Sequence, residues 1–87
     1  MIKKLIENKI NNLTIDDLSL LANNNNVSLN NKELNYLYNK IKNDWQYFLY
    51  NDPNPILRSL KENINTNSYN KLLDLYNYYK NKYQNYL

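Results

Sequence analysis

The chain has 87 residues, 43% of them hydrophobic once its ten tyrosines are counted, with a net charge of +3 and a pI near 9.0. That suffices for one small domain with a modest core, and it is basic enough to admit an anionic partner without being a polycationic tail. There is no Cys, His or Gly, which excludes disulfides and thiolate metal sites, removes the commonest metal ligand and general base, and rules out Walker loops, dinucleotide fingerprints and standard calcium loops.

Ile2, Leu5, Ile6, Ile10 and Leu13 fall on one helical face and predict a first helix over residues 2–12 with that face inward. Its opening, MIKKLIENKI, lacks the uninterrupted apolar segment of a signal peptide, and no run in the chain approaches the ~18 apolar residues of a membrane span. The expected location is therefore the cytoplasm. Lys3, Lys4 and Lys9 flank the apolar face, but a core needs that face more than a membrane surface does.

Thr14 reads as the N-cap of a short second helix, with Asp17 closing an acidic variant of the capping box and Leu18, Leu21 and Ala22 inward. The adjacent carboxylates Asp16 and Asp17 belong to that first helical turn, where they favour the dipole, and are not a catalytic pair. The run Asn23 to Asn26 ends the helix, Asn being the next-best residue to Gly in the left-handed C-cap conformation. Val27 and Leu29 bracket a connector, and Asn30 with Glu33 repeats the cap signature. The third helix carries Leu34, Leu37, Tyr38, Ile41 and Trp45, and the stretch WQYFLY before the proline turn is read as its extension or as a buried turn.

The stretch NDPNP stops the third helix; Asn54 reads as the N-cap of a fourth, with Pro55 at its first position and Ile56, Leu57, Leu60 and Ile64 inward. Asp52 and Asn54 are helix punctuation, too few for a calcium loop. After the cap cluster NTNS a last helix runs from about Tyr69 to the end. Every periodic segment is helical, so the expected fold is an all-α, single-domain bundle of four to five short helices over residues 1–87.

The stretch from Asn8 to Glu33 resembles the YqfT-like family of small proteins from low-GC Gram-positive bacteria. The resemblance rests on Lys9, Asn11, Asn12, Thr14, Asp16, Leu18, Ala22, Val27 and Leu29, and continues in looser form to the proline turn and the last helix; the aromatic DWQYFLY and the Asn run depart from the pattern. It implies fold and lineage and carries no activity. The same helix–connector–helix opening is similar to SAP-type DNA-binding modules, without the glycine of their connector.

Tyr69, Leu72, Tyr76, Tyr79, Tyr83 and Tyr86 recur at three- and four-residue spacing, the seam of a helix that packs on a neighbour. These rings are expected inside, with Tyr78 off the seam. A stripe this long can exceed what a small bundle covers, and the surplus, with Tyr78, Tyr83 and Tyr86 as contacts, would meet a protein partner or a second copy. The alternative is a weak nucleic-acid-binding module that uses Lys40, Lys42, Lys71, Lys80 and Lys82. Lacking His and Cys, the chain is read as non-enzymatic, and no catalytic, metal or cofactor residue and no small-molecule substrate is assigned.

Overall fold

The computed structural model describes residues 2–86, with side chains through residue 85. Five α-helices follow one another: α1 (Ile2–Asn12), α2 (Ile15–Asn24), α3 (Asn31–Tyr50), α4 (Asn54–Asn63) and α5 (Thr66–Tyr83), and a 3₁₀ turn (Gln84–Tyr86) extends the last. The described residues contain no strand. Helix α3 is the hub against which α1, α2 and α4 pack, and α5 packs on α4. The core joins Leu18 of α2, Leu37 of α3, Ile56 and Leu60 of α4, and Ile64 and Tyr69 beside them.

The helices begin and end where side chains satisfy orphan backbone groups. The Thr14 hydroxyl accepts from the Asp17 amide, and the Asp17 carboxylate accepts from the Thr14 amide, both at 3.1 Å. Helix α2 ends in a Schellman arrangement: the Val27 amide donates to the Ala22 carbonyl at 2.9 Å and the Asn26 amide to the Asn23 carbonyl at 3.2 Å. Asn26 has φ 61°, the left-handed position that glycine usually takes, and Val27 tucks into the interior at 2% exposure.

Asn30 and Glu33 close a second capping box on α3, and Glu33 also reaches the next cap residue. Its Oε2 accepts from the Asn65 backbone amide at 2.6 Å, while the Asn65 side chain accepts from the Ser68 amide at 2.9 Å and so caps α5. The Ser68 hydroxyl, in a fully enclosed position, donates to the Ser28 carbonyl. One polar knot thus fixes the starts of α3 and α5 and the connector before α3.

Several expectations are corrected. Helix α5 starts at Thr66, ahead of Tyr69, because Asn65 provides the cap. Asn54 is already helical; Pro53 occupies the cap position without a side-chain bond, and the Asp52 carboxylate accepts from the Asn54 amide at 3.1 Å. Helix α3 does run through WQYFLY, but it bends at Asp44, whose φ and ψ of −125° and 16° leave the helical range.

The inward face expected of α1 is not buried: no residue of the helix is, and Leu5 is 61% exposed. Leu21 of α2, also expected inward, is 52% exposed. What holds α1 is largely polar. The Lys42 ammonium donates to the carbonyls of Ile10, Asn11 and Leu13 at 2.8, 3.0 and 3.2 Å, which supplies a cation where the α1 dipole is negative, and the Tyr38 hydroxyl donates to Leu13 at 3.0 Å.

Candidate protein-interaction groove

The tyrosine seam of α5 divides in the middle. Tyr69 is buried in the core. Tyr76 is half-buried, tilted against the Phe48 ring at 5.9 Å between centroids, with its hydroxyl donated to the Phe48 carbonyl. Beyond it the expectation of buried rings fails: Tyr79 is 50% exposed and Tyr83 44%. Among the described residues, Ile2 and Ile6 of α1 and Leu49 near the end of α3 line the same groove as these two rings. Tyr78 is exposed, as its off-seam position requires. The side chain of Tyr86 lies outside the described residues.

The more exposed half of the seam forms one wall of an open groove of about 550 Å³. Leu75, Tyr79 and Tyr83 of α5 face Ile2 and Ile6 of α1 and Leu49 of α3 across it, with Tyr76 and Lys80 completing the lining. The Tyr79 and Tyr83 rings lie parallel, centroids 6.3 Å apart, and Tyr78 meets Tyr79 edge-on at 5.1 Å. Such preformed aromatic surface loses little side-chain entropy on docking.

The lysines singled out in the sequence go to different places. Lys42 is spent on the end of α1. Lys71 donates to the Asn26 carbonyl at 2.8 Å, next to the left-handed turn. Lys40 pairs with Asp44 at 3.8 Å across the bend of α3. Only Lys80 and Lys82 stand with the later tyrosines of α5: Lys80 donates to the Tyr76 hydroxyl at 3.0 Å, and Lys82 lies 5.8 Å from the Tyr78 ring centre and 5.4 Å from that of Tyr83. On α1, Lys3 follows the lining residue Ile2, and its ammonium lies 5.0 Å from the ring centre of Tyr50, the residue after Leu49.

The groove therefore contains residues that periodicity assigned to the interior or did not single out. Ile2 and Ile6 were expected to be core, and Leu49 and Leu75 carried no signal beyond being apolar. A second apolar groove runs between α1 and α2, with Leu5, Leu20 and Leu21 exposed along it and Lys9 and Asp17 at its edge.

Among the described residues no group of three or more Asp, Glu, Cys or His could hold a metal ion. No helix among them is long and apolar enough to cross a membrane. Hydrogen bonds from the Asn30 and Asn65 amides hold the Glu33 pKa below its ordinary value. Glu33 stands at the polar knot and has no part in the groove. Comparison of the chain with protein-family models, with curated proteins and with solved structures finds no match.

Proposed function

We propose that the chain is a non-enzymatic helical module that works by binding another protein through the groove between α1, the end of α3 and α5. The observation that carries this reading is the exposure of Tyr79 and Tyr83 on a seam whose first half is core. A seam repeat continued past its intramolecular cover leaves aromatic surface that another chain can bury, in the manner of a helix laid into a hydrophobic groove. Kinship with the YqfT-like family belongs to the same proposal and adds lineage alone.

The test is affinity capture from the native cell, with and without nuclease, using the wild type and a Tyr79→Ala/Tyr83→Ala variant. A protein that survives nuclease and is lost with the two rings supports the reading. Capture that vanishes with nuclease, or that ignores the two rings, overturns it.

One observation favours the second reading, a weak single-strand nucleic-acid module. Tyr78, Tyr79 and Tyr83 face solvent beside Lys80 and Lys82, the arrangement base stacking needs. It ranks second because Lys40, Lys42 and Lys71 are engaged elsewhere and the groove opposite the rings is aliphatic.

A further inference from the structure

The charge around the groove identifies the kind of segment that fits it. Its lining comes from three places, residues 2–6, Leu49 alone from α3, and residues 75–83. Together they hold Lys3, Lys4, Lys80 and Lys82 and not one Asp or Glu. The flanking carboxylates are Glu7, 3.8 Å from the Lys4 ammonium, Asp44, paired with Lys40, and Asp74 on the turn of α5 before the groove. Lys80 is part of the lining itself, Lys82 lies against the lining ring of Tyr83, and Lys3 follows the lining residue Ile2 in α1. The result is an apolar trough with a cationic rim.

We infer that this groove takes an acidic amphipathic helix of a partner protein, its aliphatic or aromatic residues seated between Tyr79, Tyr83, Ile6 and Leu49 and its Asp or Glu residues turned to Lys3, Lys80 and Lys82. The inference rests on the protein-binding reading above and names its partner's chemistry. A second copy of this chain is the wrong occupant, because apposing two such rims sets lysine against lysine and like charges at an interface oppose association. A nucleic acid would satisfy the rim but leave the aliphatic walls of Ile2, Ile6, Leu49 and Leu75 without a matching surface. An acidic helix satisfies both, with anchors at i, i+3 or i+4 and i+7 in the trough and charge steering its approach.

The experiment is selection from a displayed library of helical peptides, about 16 residues long so as to span some four turns, against the full chain. Anchor positions are randomised among apolar residues and flanking positions among Asp, Glu, Lys, Arg, Ser and Gln. Selected peptides are then titrated against the wild type, Ile6→Glu, and Lys80→Glu/Lys82→Glu, each checked for an unchanged dichroism spectrum, and against a single-stranded poly-uridine competitor.

The expected result is enrichment of Asp and Glu at the flanks. Binding should be abolished by Ile6→Glu and weakened at least about tenfold by the double lysine reversal, the scale of rim-charge effects on association. Enrichment with no acidic bias, or binding indifferent to the reversal, overturns the acidic partner while leaving a protein-binding groove in place. Failure to enrich any peptide, with poly-uridine bound through Tyr79 and Tyr83, overturns both readings; failure to enrich with no poly-uridine bound overturns the acidic helix.

Discussion

Glu33 and Asn65, thirty-two positions apart, hold the starts of two helices with one carboxylate. The Glu33 oxygens accept from the Asn30 amide at 2.9 Å and the Asn65 amide at 2.6 Å, and the Asn65 side chain returns a bond to the same carboxylate at 3.1 Å. These bonds favour the charged form, so the Glu33 pKa is lowered from its ordinary 4.5. A lowered folded-state pKa contributes stability that is fully present above the unfolded value and lost as pH falls through the folded one. The melting temperature of the wild type should therefore fall on acidification below about pH 4.5. Glu33→Gln should be less stable at neutral pH and flatter across that acid range. Parallel melts at stepped pH measure it, and identical slopes in the two proteins would remove Glu33 from the account.

Asn26 is the one residue of this glycine-free chain with positive φ among those described. A residue with an ordinary Cβ there incurs a steric cost of about 1 kcal/mol or more, from which Asn is partly relieved. Glycine avoids that cost but loosens the unfolded chain by about 0.4–1 kcal/mol. The two effects nearly cancel, so Asn26→Gly should shift stability by under about 0.5 kcal/mol, whereas Asn26→Ala should cost about 1 kcal/mol. Denaturant midpoints decide; an alanine variant as stable as wild type would mean that the turn relaxes out of the left-handed region.

Lys42 tethers α1, a helix with no buried residue, to α3 through three carbonyls. Lys42→Met keeps the aliphatic stem and removes the donors. Since hydrogen bonds to charged groups contribute about 1.5–3 kcal/mol and this site is partly solvated, about 1 kcal/mol should be lost, and locally. Amide exchange in α1 should then speed up by roughly fivefold while α4 and the first turns of α5 keep their protection. A uniform loss across the chain would make α1 part of the global unit.

The tyrosines of α5 should separate by position. Tyr69 lies in the core and Tyr76 is half-buried against Phe48, so truncating either to alanine should cost about 3 kcal/mol or more, a large part of what so small a domain possesses. Tyr78→Ala and Tyr79→Ala should each cost under about 1 kcal/mol, because both rings are at least half exposed. Thermal melts of the four variants test the division; a Tyr79 variant as damaged as Tyr76 would place the edge of the core one turn further along.

The fold class and most of the helix ends were legible in the sequence because caps are local: Thr14 with Asp17, and Asn30 with Glu33, sit three residues apart and act on their own turn. The bend at Asp44 was not, since no proline or glycine marks it. Nor was the second task of Glu33, which depends on where the chain returns thirty-two residues later. Seam spacing established that Tyr69, Tyr76, Tyr79 and Tyr83 share a side of one helix. It could not establish where the neighbouring helices stop, and that decides which of those rings are core and which are exposed.

The bend in α3 has a consequence for the groove. A straight helix of 20 residues would run about 30 Å, close to the 35 Å longest dimension of the whole molecule. By breaking at Asp44 the helix turns its last six residues into a separate short rod, and that rod carries Leu49 as one wall of the trough and Phe48 as the acceptor for Tyr76. The jaw spacing is then governed by the torsions of one residue, with the Lys40–Asp44 pair lying across the joint. Substitutions at Lys40 or Asp44, neither of which lines the trough, would retune its aperture.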